Sequence, residues 1–303
     1  MTSKGTRLAS ASKKVLITAI DSFTGSYLSS YLQNCGYDVY GTSFFKKTDK
    51  TYKCDITKKE DIVSALKQVS PEFIIHLSGI SFTAHGNNED FYKVNTIGTI
   101  NILDALAELN INPLKVILAS SATVYGNQGL EVLDESLCPS PANHYGSSKY
   151  AMEYLVKNYF TKLNLIIVRP FNYTGTSQEE HFLIPKIVKH FKESKKEIEL
   201  GNLDVSREFN DINYVCEVYK KLLESDVKSE VVNICSNRGI KLLDVIEMMN
   251  ELAGYEIDVK VSPAFVRKDE IKTLTGSTTK LFELIGHVEQ KEFKDTLREM
   301  FEA

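Results

Sequence analysis

The segment VLITAIDSFTG, residues 15–25, decides the fold of this chain. Its first four residues, Val15 to Thr18, are apolar or β-branched and predict a short buried strand. The stretch from Gly25 to Cys35 carries apolar residues at helical spacing, which predicts a helix after the strand. A strand that leads into a helix in this way is the repeating unit of an α/β protein.

The same alternation continues through the first half of the chain. Strands are predicted at Asp38–Gly41, Phe73–Leu77, Val116–Ala119 and Leu165–Val168, with helices at Lys59–Val69 and Val94–Leu109 between them. Strands that alternate with helices connect by right-handed crossovers into a parallel, doubly wound sheet. The predicted fold class is therefore α/β, Rossmann-like, and ligands of such sheets bind at the carboxyl ends of the strands.

The pattern changes after Pro170, where charged irregular stretches mix with short helices. We expect a dinucleotide-binding domain at residues 14–170 and a smaller C-terminal substrate-binding lobe at residues 171–303. Residues 231–235 are mostly apolar and are expected to return to the sheet as a strand. The polar, Ser-rich residues 1–13 are expected to form a disordered tail.

Composition excludes several classes of function. The chain has 303 residues, a formal net charge of -4 and no long basic block, so nucleic acid is not expected as a partner. No apolar run could span a bilayer and residues 1–14 lack the apolar core of a signal peptide, so no membrane partner is expected. The cysteines have no metal-ligand spacing, which indicates a reducing, cytoplasmic compartment and no metal site; they are Cys35, Cys54, Cys138, Cys216 and Cys235.

Tyr145 and Lys149 form the strongest chemical motif. They stand four residues apart, which places both side chains on one face of a helix. We expect the ammonium to favour the phenolate and to lower the tyrosine pKa from ~10 toward the working pH. Such a tyrosine can exchange a proton with a sugar oxygen while a cofactor exchanges hydride with the carbon. The spacing alone also fits an ordinary amphipathic helix.

The neighbouring segments resemble those of extended short-chain dehydrogenase/reductases. Residues 119–126 (ASSATVYG) are similar to the SSxxVYG segment of that family, and residues 169–175 (RPFNYTG) to its RPFNxxG segment. Residues 76–79 (HLSG) and 95–99 (NTIGT) resemble two further segments in the expected order. Residues 18–25 resemble the family's TGxxGFxG phosphate-binding turn, although Ala19 and Ser22 replace two of its three glycines.

This resemblance implies a catalytic triad of Ser121, Tyr145 and Lys149, with Ser120 as the alternative hydroxyl. It also implies a nicotinamide dinucleotide whose pyrophosphate lies at the N-terminus of the first helix. The implied cofactor-binding residues are Thr18, Ser22, Phe23, Thr24, Gly25, Asp55, Ile56, Leu77, Ser78, Gly79 and Lys149.

The end of the second strand bears on the choice between the two nicotinamide cofactors. NAD-dependent proteins place an acid there, which accepts hydrogen bonds from the ribose hydroxyls. Residues 40–47 (YGTSFFKK) contain no acid and end on Lys46 and Lys47, which could pair with a 2′-phosphate. The sequence therefore favours NADP(H), and NAD(H) stays possible.

Three segments of the second half resemble the group of GDP-mannose 4,6-dehydratases and GDP-4-keto-6-deoxy-mannose reductases. They are residues 200–211 (LGNLDVSREFND), 233–236 (NICS) and 266–276 (VRKDEIKTLTG). The resemblance implies a GDP-linked sugar as substrate, whose diphosphate is bound by arginines in that group, since a guanidinium fork suits phosphate. The implied substrate-binding residues are Asn172, Lys186, Arg207, Arg267 and Glu270.

Thr123 bears on which reaction the protein catalyses. Dehydratases of this group carry an acid at the equivalent position, and a threonine hydroxyl cannot serve as a base toward C5 of the sugar. The sequence favours reduction of the C4 ketone of a GDP-4-keto-6-deoxy sugar, as in GDP-rhamnose synthesis. A 4-epimerase, a 4,6-dehydratase and a non-catalytic dinucleotide-binding protein remain alternatives. The resemblance also implies a homodimer formed by the helices at 94–109 and 147–163.

Overall fold

The computed structural model of the chain describes residues 13–81, 86–266 and 271–303. The disordered tail predicted at residues 1–13 lies, apart from Lys13, outside the described residues. The strands are β1 (Lys14–Thr18), β2 (Asp38–Ser43), β3 (Thr51–Lys53), β4 (Phe73–His76), β5 (Lys115–Ala119), β6 (Leu165–Pro170), β7 (Tyr173–Thr174), β8 (Glu197–Leu200), β9 (Ser206–Arg207), β10 (Asn210–Asp211), β11 (Glu230–Ile234), β12 (Ile240–Lys241), β13 (Asp258–Val261) and β14 (Thr273–Leu274). The α-helices are α1 (Phe23–Asn34), α2 (Lys59–Val69), α3 (Asn88–Phe91), α4 (Gly98–Glu108), α5 (His144–Val156), α6 (Leu183–Lys192), α7 (Ile212–Glu224), α8 (Leu242–Ala253), α9 (Thr279–Ile285) and α10 (Phe293–Glu302).

A seven-stranded parallel sheet in the order β11-β6-β5-β4-β1-β2-β3 forms the centre of the molecule. The chain leaves β1 toward β2 and β3 on one side and later crosses to β4, β5 and β6 on the other. This reversal places the topological switch point between β1 and β4, where α/β sheets bind their ligands. The predicted Rossmann-like α/β fold is confirmed.

Helices cover both faces of the sheet because its strands are apolar on both sides. On one face, α1, α7 and α9 pack against the sheet through buried side chains such as Leu28, Leu222 and Leu281. On the other face, α2, α4 and α5 contribute Leu66, Leu106 and Met152, among others. Helix α7 therefore packs on the sheet although it follows residue 170.

The C-terminal elements form a separate apolar cluster. Helices α6, α8 and α10 meet there around buried residues such as Phe191, Met249 and Leu297. The β8–β13 pair contributes Ile198 and Leu200 to the same cluster. Helix α7 and strand β11 follow residue 170 in the chain but lie with the sheet. The domain boundary expected at residue 170 therefore stays a prediction. No helix in the described parts of the chain combines the length and the apolar character needed to cross a membrane.

Two local features differ from the sequence-based expectation. Strand β3 was not predicted, because this three-residue edge strand is polar and carries no apolar run. The helix predicted at 94–109 begins instead with a π-helical segment, Tyr92–Ile97, which continues into α4. Such π-helical turns often mark functional sites.

Candidate active site

The turn between β1 and α1 is closed by Ser22. Its hydroxyl accepts a hydrogen bond from the Gly25 amide at 3.1 Å and donates one to the Ala19 carbonyl at 2.7 Å, so Ser22 caps α1. A side chain at Gly25 would place its Cβ 2.3 Å from the Ala19 oxygen, so the backbone leaves no room for one. Ala19 adopts a left-handed backbone, with a φ of 51°, where the family pattern has glycine.

The N-terminus of α1 fits the phosphate group of a dinucleotide. The first amides of any helix lack an acceptor within the helix, and here these belong to Phe23 and Thr24 beside the capped Gly25. Together with the positive end of the helix dipole, they form an anion site. The predicted cofactor-binding roles of Ser22, Phe23, Thr24 and Gly25 stay predictions, and their placement at one helix end agrees with them.

Thr18 and His76 join the ends of β1 and β4. Thr18 Oγ1 accepts from the amides of Leu77 at 2.9 Å and Ser78 at 3.0 Å, so its own proton goes to His76 Nδ1 at 2.8 Å. His76 must then carry its proton on Nε2, which lies 2.9 Å from Thr99 Oγ1. Burial lowers the pKa of His76 to about 3, and the ring is therefore neutral.

Three consecutive residues at the end of β5 contact α5 at successive helical turns. Ser121 is hydrogen-bonded to the Tyr145 hydroxyl. The Ala119 carbonyl accepts from Lys149 Nζ at 2.8 Å, and Ser120 Oγ donates to Glu153 Oε1 at 2.5 Å. The structure thus brings Ser121, Tyr145 and Lys149 together, and it bonds the alternative hydroxyl, Ser120, to Glu153.

The expected lowering of the tyrosine pKa is wrong for this structure. Burial raises the pKa of Tyr145 to about 12, and the hydrogen bond from Ser121 acts in the opposite direction without overcoming it. Lys149 does not contribute to a lowering of this pKa, and its ammonium donates to the Ala119 carbonyl. Burial also lowers the pKa of Lys149 to about 8, against the opposing charge of Glu153. At neutral pH, Tyr145 is a phenol and Lys149 is mostly an ammonium.

Gly79 and Asn95 close the site beside Lys149. A Cβ at Gly79 would lie 2.9 Å from Asn95 Oδ1 and 3.1 Å from Lys149 Nζ, so this close approach requires glycine. Asn95 lies in the π-helical segment and bonds both the Ile80 backbone, at 2.8 and 3.1 Å, and Ser148 Oγ, at 3.0 Å. The segment therefore fixes the position of the β4 end relative to α5.

Sequence reasoning missed a buried network beneath the catalytic helix. Arg169 donates to both carboxylate oxygens of Glu153, at 3.0 and 2.6 Å, and both side chains are almost fully buried. The Arg169 guanidinium also lies 4.7 Å from the ring centre of Tyr125. The available signal was the position of Glu153, which extends the Tyr145–Lys149 spacing by four more residues.

Tyr173 is a second residue that sequence reasoning missed. Its hydroxyl lies 2.8 Å from Thr24 Oγ1, and its ring stacks on Phe23 with centroids 6.3 Å apart. Tyr173 also contributes to the raised pKa of Tyr145, so the two hydroxyl groups lie near each other. Asn172, the predicted substrate residue before it, is exposed, and its carbonyl accepts from the Asn210 amide at 2.9 Å.

Asp55 and Ile56 have local roles in the structure. The Asp55 carboxylate accepts from the amide and hydroxyl of Thr57, at 3.0 and 2.7 Å, and so stabilises the turn before α2. The Ile56 side chain is buried, and it fills the space where a Cβ at Gly98 would stand. Their predicted contact with the cofactor stays a prediction.

The predicted substrate residues fall on the C-terminal elements. Lys186 Nζ donates to the Glu199 carbonyl at 2.7 Å and lies 3.9 Å from the ring centre of Phe265. Arg207 donates to the carbonyls of Ile271 and Lys272, which directly follow the segment with Arg267 and Glu270. Arg267 and Glu270 themselves lie outside the described residues.

The sheet topology and the arrangement of Ser121, Tyr145 and Lys149 define a Rossmann-like short-chain dehydrogenase/reductase, a class that uses a nicotinamide dinucleotide. Within this class, the chain belongs to the GDP-mannose 4,6 dehydratase family, whose model matches residues 16–300.

Similar proteins agree with this assignment. The GDP-6-deoxy-D-talose 4-dehydrogenase of Aggregatibacter actinomycetemcomitans is 35% identical over 90% of this chain and 92% of that protein. The GDP-6-deoxy-D-mannose reductase of Pseudomonas aeruginosa is 26% identical over 94% of this chain and 95% of that protein. A solved protein of Burkholderia cenocepacia J2315 is 39% identical, with a TM-score of 0.90, over 96% of this chain and 97% of that one.

Proposed function

We propose that the chain is a 4-ketoreductase, which reduces the C4 ketone of a GDP-linked 4-keto-6-deoxy sugar to give a GDP-deoxysugar of the rhamnose type. The observation that carries this proposal is the Tyr145 hydroxyl, bonded to Ser121 and one helical turn from Lys149, at the carboxyl end of β5. A bound nicotinamide cofactor supplies the hydride in this reaction.

Tyr145, Ser121 and Lys149 each have a separate role in this reaction. Tyr145 keeps its proton at neutral pH because its pKa is raised to about 12, so it can donate that proton to the oxygen that forms at C4. Ser121 donates a hydrogen bond to the same oxygen, which stabilises the developing charge. Lys149 holds a positive charge close to both groups and to the ribose next to the nicotinamide.

Two arguments support a GDP-linked 6-deoxy sugar as the substrate. Both curated relatives are named for GDP-6-deoxy sugars, and one is named for dehydrogenation at position 4. Arg207 lies beside the backbone of residues 271–272, and its planar guanidinium is of the kind that suits a diphosphate. The free thiols of the cysteines keep the cytoplasm as the proposed compartment.

Thr123 argues against the dehydratase reaction. Its hydroxyl donates to Ser121 Oγ at 2.9 Å, so the position used by the dehydratase acid holds a neutral group bonded to the catalytic serine. Removal of the C5 proton needs a base of much lower pKa than a threonine hydroxyl. We therefore propose reduction without dehydration.

The test is a panel of 4-keto-6-deoxy sugars on GDP, UDP and dTDP, incubated with NADPH or NADH and followed by mass spectrometry. We expect reduction of the GDP-linked sugar, and a fall of about 10²- to 10⁴-fold in Tyr145→Phe at unchanged cofactor affinity. Near-parental turnover in Tyr145→Phe would refute the mechanism. A 4-keto-6-deoxy product from GDP-mannose and NADP⁺ would make the protein a dehydratase, and sugar inversion without net cofactor consumption would make it an epimerase.

We also propose that two copies of the chain pair through α4 and α5. Tyr154 and Leu155 on α5 are exposed, at 67% and 38%, and Ile97 at the start of α4 is 51% exposed. An apolar stripe of this kind on two neighbouring helices suits a two-fold helix bundle. Light scattering should give a dimer mass for the parent and a monomer mass for Tyr154→Glu.

A further inference from the structure

Asp21 lies in the β1–α1 turn, yet its side chain is held at the end of the second strand. Its Oδ2 accepts a hydrogen bond of 2.6 Å from the hydroxyl of Ser43, the last residue of β2. The turn is joined to β2 at a second point, because the Ile20 amide donates to the Thr42 carbonyl at 3.0 Å. Ile20 also packs directly on Gly41, where a Cβ would lie 2.3 Å from its side chain.

The Ser43 hydroxyl fixes the direction of this contact. It accepts from the amides of Phe45 at 3.1 Å and Lys46 at 2.9 Å, so its single proton goes to Asp21. The carboxylate is thus anchored by one oxygen while the exposed residue presents the other oxygen to solvent. The β1–α1 turn supplies the carboxylate of Asp21 and the end of β2 holds it in place, so the hydrogen-bond acceptor depends on both segments.

The place of this carboxylate matters for the cofactor. In dinucleotide-binding folds, the acid at the carboxyl end of β2 accepts from the 2′-hydroxyl of the adenosine ribose. Residues 40–47, which cover the carboxyl end of β2 and the start of the following loop, contain no acid, and Asp21 supplies one from the neighbouring turn. Within the described residues, Asp21 makes no ion pair, so its charge is not neutralised by Lys46 or Lys47.

We propose that Asp21, anchored by Ser43, selects the form of the cofactor: it accepts from a free 2′-hydroxyl and repels a 2′-phosphate. The chain then prefers NAD(H), which reverses the preference that Lys46 and Lys47 gave from sequence alone. This inference rests on the cofactor half of the proposed function and is independent of the identity of the sugar.

The test is calorimetric titration of the full chain with NAD⁺ and NADP⁺, without any sugar. We expect the parent to bind NAD⁺ more tightly. Asp21→Asn keeps the shape and removes the charge, so it should lower the ratio of the two Kd values, NADP⁺ over NAD⁺, by about tenfold or more. The smaller probes 5′-AMP and adenosine 2′,5′-bisphosphate should show the same change in ratio, because they differ in the 2′ group alone.

The control is Asp38→Asn, at the opposite end of the same strand. Asp38 is paired with Lys50 at 2.6 Å and should not affect the ratio. An unchanged ratio in Asp21→Asn, or an equal change in Asp38→Asn, overturns the inference. A parent that prefers NADP⁺ overturns it as well, even if the sugar panel supports a ketoreductase. Conversely, if the ratio of the two Kd values behaves as expected but no 4-keto sugar is turned over, this inference is supported and the proposed reaction is contradicted.

Discussion

The Ser120 hydroxyl lies 2.5 Å from Glu153 Oε1, and this bond joins the end of β5 to the third turn of the catalytic helix. The same carboxylate takes two hydrogen bonds from Arg169. Tyr145, Lys149 and Glu153 therefore lie on one face of α5. The first two are the proposed catalytic residues, and the third is bound to Arg169 in the core.

Glu153→Gln should destabilise the protein strongly. It leaves the buried guanidinium of Arg169 without a counter-charge, which costs about 3–5 kcal/mol of the free energy of unfolding. Urea denaturation followed by circular dichroism measures this. The matched change Glu89→Gln removes an exposed pair with Lys93 and should cost less than about 1 kcal/mol. Equal losses in the two variants would show that the Glu153–Arg169 pair does not stabilise the fold.

The pH dependence of kcat/KM should reflect the ionisation of Lys149. Its pKa is lowered to about 8, so the ammonium is present below that pH and is lost as pH rises through it. Tyr145, with a pKa raised to about 12, stays protonated over this range. We expect kcat/KM to fall with an alkaline limb near pH 8, while circular dichroism shows an intact fold. A flat profile up to pH 10 would contradict the assigned role of the Lys149 charge.

The sheet could be predicted from the sequence because buried parallel strands are continuous apolar runs. Val116–Ala119 is such a run, and the structure places a strand there. The edge strand Thr51–Lys53 could not be predicted in this way, since exposed edges do not select apolar residues. The four-residue spacing that identifies the Tyr145–Lys149 motif depends on helix geometry alone, so that part of the site was also predictable.

Contacts between distant segments could not be predicted. Asp21 and Ser43 meet because β1 and β2 are neighbours in the sheet, and neither local sequence indicates this. The direction of the Tyr145 pKa was wrong for a related reason. Helical spacing shows that Lys149 is on the same face of the helix, but it does not show how deeply the Tyr145 hydroxyl is buried.

His76 should make the fold sensitive to acid. Its pKa in the folded chain is about 3, below the ordinary value of 6.5, so its contribution to stability is complete above pH 6.5 and is lost as pH falls toward 3. The loss is about 1.4 kcal/mol for each pH unit in this window. His76→Gln keeps a donor and an acceptor but does not titrate.

Urea denaturation of His76→Gln and the parent at pH 6.5 and pH 5 measures this effect. The parent should lose roughly 2 kcal/mol more than the variant between the two pH values. His181→Gln, which changes an exposed histidine, should behave like the parent. If His76→Gln loses as much stability as the parent on acidification, the buried imidazole is not the acid-sensitive group.

Ala19→Gly should stabilise the fold. The left-handed backbone at Ala19, with a φ of 51°, costs an alanine about 1–2 kcal/mol that a glycine does not pay. Part of this gain is offset because glycine has more freedom in the unfolded chain, so we expect a net increase of about 0.5–1 kcal/mol. The control is Ala107→Gly in α4, which should destabilise by about 1 kcal/mol. Urea denaturation distinguishes the two signs, and a loss of stability in both variants would contradict the strain at Ala19.

Ser22→Gly should tighten cofactor binding at little cost to the fold. The Ser22 hydroxyl occupies the Gly25 amide at 3.1 Å, which is one of the donors that a helix N-terminus offers to a pyrophosphate. Removing the hydroxyl frees this donor for an anionic oxygen, and we expect the Kd of the preferred nucleotide to fall by about three- to tenfold. The lost cap should cost only a few tenths of a kcal/mol, because glycine is itself tolerated at that position. Calorimetric titration measures the Kd, and the affinity for GDP, which we propose to bind at the C-terminal residues, should stay the same. A Kd that is unchanged or higher would mean that the turn binds the cofactor with Ser22 as part of its donor set.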